Sequence, residues 1–453
     1  MSITDIIAHG IGSRTTLPLP FWQLAWASIA ALGFSFLGLG VLWKKPLLSG
    51  ASDSPSQDAA TSTDRTRRLG GGSVGLRSAV LMVARGLGLA LFVLCIFAGL
   101  FGQDQALRNI APVTIYVIFW VLIPFLSALL GDIWRAVSPF EAIASVVETI
   151  RPQTHRTAPD HHWFAALTIF MFLFLELAHP SGSSPRVLAW AMLTYTAITC
   201  VGLAVYGRSW LRTGEGFSVL FSLLAQISPI YVTESRRLGL RLPLAGLCRI
   251  DIKPGTVALI LVALGGTSFD GLSESDDYIE LVGNQTGWAG VSPTVLGLAA
   301  TIAVAWGLYV AGSWFTANVT ETNLSTAADT FAPALLPILW GYLLAHYALL
   351  LVDEVQRFIF LLSNPYGVVV DGEPAQDFFG TAGGTINFEL VNLDVIAWVQ
   401  TSAIVIGHIA GVMVAHDIGL AKYDRLRAMR SQYVMLFVMM IYSVGGLALL
   451  FNS

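Results

Sequence analysis

Glu176 and His179 stand three residues apart in the run MFLFLELAHP. On a helix that spacing places both on one face, a turn apart. Ionisable groups at membrane depth are costly and are usually kept for a function. Four further residues raise the same question. His346 lies midway along WGYLLAHYALLLVDEVQRF, with Asp353 seven residues on and on nearly the same face. His408 lies midway along SAIVIGHIAGVMVAHD, and Asp270 follows two glycines in ILVALGGTSFDG. Carboxylates with neutral imidazoles suit zinc, manganese or iron, and such a divalent metal lowers the pKa of bound water to give a hydroxide nucleophile. A Glu/His/Asp chain is equally the composition of a proton relay. The spacing does not choose between them. Glu-x-x-His occurs once where di-iron bundles carry it twice, and there is no H-E-x-x-H. The catalytic candidates are Glu176, Asp353 and Asp270, and the metal candidates are His179, His346, His408 and Glu176.

Each candidate also has a plain structural reading. Glu176 can reach up to interfacial water beside His179. His408 sits beside Gly407 and Gly411, a G-x-x-x-G pattern of close helix packing, where a histidine can bond across the interface. His416 and Asp417 fit simple interfacial chemistry. The glycines at 265–266 are either a loosely ended span or a Gly-broken helix of the kind transporters place at a binding site.

These residues must be positioned by membrane spans. Of 453 residues, 55% are hydrophobic and 12% charged, against about 25% charged in ordinary soluble chains. The composition specifies an all-α, polytopic transmembrane helix bundle in one domain, residues 1–453. Apolar runs of spanning length fall at 21–43, 79–102, 111–131, 163–179, 186–206, 295–315, 332–353, 395–416 and 433–451. A shorter one at 255–269 brings the count to about ten. The run 21–43 is too long for a signal h-region and reads as a retained helix.

With both termini outside, the inner loops 44–78, 132–162, 207–254, 316–331 and 417–432 hold 20 of the 25 basic residues, as the positive-inside rule requires. Loop 316–331 contributes none. The linker 49–75 is rich in Ser, Gly, Asp and Thr and is expected to be disordered. Within loop 207–254, the stretch 216–230 is too short to span and reads as an interfacial or re-entrant helix. Outer loop 270–294 is acidic, and outer loop 354–394 is long enough to fold over a membrane-facing site. The orientation puts Glu176 in the outer third of its helix, with Asp270 and Asp353 at similar depth. The net charge of −4 and the lack of a basic domain exclude a nucleic-acid partner. Three cysteines form neither a disulfide framework nor a C-x-x-C motif.

Three stretches carry a resemblance: AHGIGSRTTLPLP, AHYALLLVDEVQRFIFLLSNPYG with FFGTAGG, and VIGHIAGVMVAHD with RAMRSQYVMLFVMM. In these the chain resembles a family of bacterial and archaeal polytopic membrane proteins labelled fenitrothion hydrolase, a membrane-bound organophosphorus hydrolase component. Thr16 stands where the family pattern has an acid. The resemblance implies a metal-assisted hydrolase of apolar phosphoesters at the outer leaflet. Glu176 and Asp353 would then be ligands or bases, and His179, His346 and His408 ligands. The residues themselves leave two other classes open. One is a secondary transporter or proton-coupled permease of a small solute, the other a scaffold subunit of a membrane complex. In every reading the chain is a multi-pass protein of the cell (inner) membrane, in contact with lipid and a small apolar substrate or solute.

Overall fold

The computed structural model describes residues 20–50, 74–150, 156–232, 238–283, 285 and 287–452. Most of the linker 49–75 and of the AHGIGSRTTLPLP stretch therefore lies outside the described residues. Ten helical elements make the bundle. They are α1 (Phe21–Leu42), α2 (Val74–Phe101), α3 (Ile110–Leu130), α4 (Trp163–Ala178), α5 (Pro185–Tyr206), α6 (Thr256–Ser273), α7 (Trp288–Thr320), α8 (Leu335–Ser363), α9 (Leu393–Lys422) and α10 (Tyr433–Asn452). Among the described residues nine helical runs are long and apolar enough to cross a membrane, and α4 is apolar but shorter. The chain is a multi-pass, all-α membrane protein. Its only strands among the described residues are two short antiparallel pairs, Ile230–Val232 with Leu238–Leu240 and Val369–Val370 with Glu373–Pro374. Helices dominate because a lipid-facing segment must satisfy its backbone groups internally.

Contacts between helix ends fall at two levels, inner and outer in the sense that the basic loops predict. At the inner face, Asp417 near the end of α9 accepts from the Trp43 indole (3.1 Å) and from the amides of Leu48 (2.9 Å) and Ser49 (2.7 Å), just past α1. At the outer face, Gln103 and Ile110 donate their amides to the carbonyls of Tyr366 (2.9 Å) and Pro365 (3.1 Å). Loop 316–331, which has no base of its own, borrows two from the α9–α10 connection. Lys422 donates to Thr330 (3.0 Å) and Arg427 pairs with Glu321 (3.4 Å).

One expectation needs correction. The sixth span is not a short segment broken at its glycines, because α6 runs unbroken through Gly265–Gly266 to Ser273. The glycines serve packing: a Cβ on Gly265 would lie 2.7 Å from the Ile302 Cα of α7. Asp270 consequently sits inside the helix and not in the outer loop. The helix Gly216–Leu224, expected to be interfacial or re-entrant, packs into the bundle. All but two of its residues, Ser218 and Ser222, are buried, with Phe217 and Phe221 packed against the aromatic ring of Phe119 in α3. The carboxylate of Glu215 caps its first turn by accepting from the amides of Phe217 and Ser218.

α6, α8 and α9 form the enclosed centre, with 72%, 67% and 67% of their most apolar windows buried. α8 and α9 approach through small residues, as membrane helix pairs commonly do. A Cβ on Gly407 would lie 2.7 Å from the Pro337 carbonyl oxygen and 3.2 Å from the Gly341 Cα. α8 continues through Ser363, so the outer loop expected at 354–394 begins after it and lies along the last turns of α8. There the Gln356 side chain accepts from the Asn387 amide (3.0 Å), and Ser363 accepts from the amide of Phe379 (3.2 Å).

Gly407→Leu is expected to cost about 1–3 kcal/mol by overpacking and to lower the melting temperature of the detergent-purified protein. Gly86→Ala, with nothing within 4 Å of the added Cβ, should leave it unchanged. A second expectation concerns His162, just before α4. Its Nδ1 meets the Thr256 hydroxyl at 2.8 Å, and that hydroxyl already accepts from the Lys253 amide (3.1 Å). Burial, then the Lys253 charge, lowers the His162 pKa to about 4, against about 6.5 in an unfolded chain. Below 6.5 the unfolded state binds more protons, so this contribution is complete above pH 6.5 and is lost as pH falls towards 4. Melting temperatures of wild type and His162→Gln from pH 7.5 to 4 should converge as pH falls.

Candidate functional site

The outer half of the bundle holds a buried polar cluster. Counted from the inner helix ends at 1.5 Å per residue, Glu176 lies about 20 Å up α4, Asp270 about 21 Å up α6 and His346 about 17 Å up α8. The three are level. Asp270 Oδ2 accepts from His346 Nε2 at 2.8 Å and from the Tyr347 hydroxyl at 2.6 Å. The His346 ring is held by Tyr347 edge-on (centroids 4.6 Å apart) and by Tyr342, parallel to it at 6.4 Å. One step away, the Ser268 hydroxyl donates to the Leu264 carbonyl (2.9 Å) and meets the Tyr442 hydroxyl of α10 at 2.5 Å.

Glu176 completes the cluster. Its residue is 5% exposed and that of Asp270 2%, so both carboxyls lie out of water. Glu176 Oε2 is buried and has no hydrogen-bond partner among the described residues. The charged group acting on it is Asp270, and it acts in turn on the hydroxyls of Tyr116 and Tyr347.

The backbone that delivers Glu176 is unusual. The last turn of α4, Phe174–Ala178, is π-helical, closed by the His179 amide donating to the Phe174 carbonyl at 2.9 Å. The facing stretch of α3, Thr114–Leu122, is π-helical too. α3 and α4 are in contact through Trp120 and Phe172, with ring centroids 4.8 Å apart. Tyr116, in the α3 stretch, ties down the loop after α4 by donating to the Gly182 carbonyl (2.7 Å). Such π turns are frequent at functional sites. No residue pattern in the sequence announces them.

The other candidates have different neighbours. The wider π turn and an extended backbone at His179 take that ring off the face of Glu176. It lies against Trp288 (5.5 Å), and its Nδ1 accepts from the Ser181 amide (3.1 Å). One cavity holding Glu176, His179 and His346 together is therefore not formed among the described residues. His408 uses Nδ1 within its own helix, on the Ile404 carbonyl (2.8 Å). Asp353 is buried two turns above His346, beside the ion pair of Glu354 with Arg357 (2.8 Å). Among the described residues no three His, Cys, Asp or Glu are placed to hold a metal ion.

Sequence reasoning missed Tyr347, Tyr342, Tyr116 and Tyr442, because tyrosine in an apolar run reads as filler. A usable signal was present for two of them: Tyr347 adjoins His346, and Tyr342 precedes it by one turn. Comparison with protein-family models, with curated proteins and with solved structures returns no match for this chain.

Proposed function

We propose that this chain is a proton-coupled transport protein of the cell (inner) membrane, whose proton is held by Glu176, Asp270 and His346. One observation carries the reading. Glu176 is buried with an unpartnered oxygen, and the charged group acting on it is another buried carboxylate. A carboxylate in a low-dielectric interior needs compensation. His346 and Tyr347 already donate to Asp270, so a bound proton is the natural partner for Glu176. An empty, negatively charged site resists enclosure and a protonated one does not, so proton binding biases the bundle between two arrangements. The Ser268–Tyr442 contact extends hydroxyl groups from this site towards mid-depth.

In liposomes containing the reconstituted protein and an internal pH dye, an imposed pH gradient should drive proton movement. Glu176→Gln should slow it at least about tenfold, the scale on which positioned proton-transfer groups act. Proton movement equal to that of empty liposomes, for wild type and variant alike, would end this reading.

A different observation favours a second reading, hydrolysis of an apolar ester supplied from the bilayer. A narrow apolar recess between α3 and α8 is lined by Val121, Phe125, Trp340, Leu344 and Leu351, with Tyr347 at its wall. Asp270 lies behind that tyrosine and could act as general base to a water molecule. This is also the activity that the fenitrothion hydrolase resemblance implies. Purified protein should then hydrolyse an aryl phosphotriester, with Asp270→Asn lowering kcat by about 10²-fold. Turnover no faster than buffer would remove it.

A further inference from the structure

The buried site needs a route to water, and one residue supplies it. Glu274 follows α6 directly and lies one helical turn above Asp270, about 6 Å nearer the outer surface. The i, i+4 spacing puts the two carboxyls on one face. Glu274 Oε1 is buried and has no hydrogen-bond partner among the described residues, yet the residue as a whole is partly exposed. Asp270 and Glu176 are both sealed. The groups that act on Glu274 are Asp270 on its own helix and His346 of α8, whose Cε1 lies within 3.7 Å of a Cβ built on the intervening Gly271. Tyr342 feels Glu274 as well.

We propose that Glu274 is the proton-admitting residue of this site, carrying protons between outer water and the Asp270–His346 pair. The proposal rests on the proton-site reading above. The step is a simple relay. Glu274 carboxylate takes a proton from outer water to become the acid, then releases it to the pair and returns to carboxylate, with no redox change. Its pKa suits the task. Burial first, then the negative charge of Asp270, raises it to about 8 against the opposing pull of His346. A general acid–base group works best with its pKa near the working pH.

The test is infrared spectroscopy of the full chain in lipid nanodiscs, following the carboxylic C=O stretch after transfer to D₂O. A band lost in Glu176→Gln marks the buried proton. Glu274→Ala and Glu274→Gln should keep that band but slow its deuterium shift at least about tenfold, and Glu274→Asp should restore the wild-type rate. If the band is present and exchanges equally fast in all three variants, the assignment of Glu274 is overturned while the proton site stands. If wild type has no band that depends on Glu176, both are overturned. Size-exclusion profiles matching wild type exclude misfolding as the cause of any change.

Discussion

Asp270 accepts hydrogen bonds from His346 and Tyr347 in the middle of an apolar bundle, and much of the surrounding structure serves to make that tolerable. A carboxylate removed from water loses hydration that only fixed donors or a counter-charge can replace. The donors come from α8, which must therefore lie close to α6 and at a fixed height. The glycine contact between α8 and α9 sets one side of α8, and the packing of α6 on α7 through Gly265 fixes the other partner. Small residues at one level of the bundle thus determine hydrogen-bond lengths at another.

The same constraint explains the distorted backbone beside the site. α4 rises only about 24 Å, short of the roughly 30 Å hydrocarbon core. Its final π turn carries Glu176, which is buried. Glutamate placed this way adds a second acid to a site that already has one. An arrangement built only for stability would have an apolar residue there, since buried ionic groups seldom outperform hydrophobic ones.

Much of the fold was legible in composition. Apolar runs located the spans. The errors fell on α6, where adjacent glycines read as a break. Their role depends on Ile302 and Leu173 of other helices, which no local pattern reveals. Half of the site was legible, since Glu176, Asp270 and His346 stood out as ionisable groups in apolar runs. Their mutual contact was not, because they lie on three helices separated by long stretches of sequence. His179 was misjudged for a local reason: a regular 3.6-residue period was assumed across a turn that is wider.

The clasp around Asp417 has a mechanical consequence. Five donors from Trp43, Leu47, Leu48 and Ser49 converge on this one carboxylate, and the Cys248 thiol lies against it as well. The inner ends of α1 and α9 and the turn at Leu247–Arg249 are thereby fastened at a single point. Rocking of α9 against its neighbours would pivot there, so its amplitude would grow towards the opposite face, where the buried acids lie.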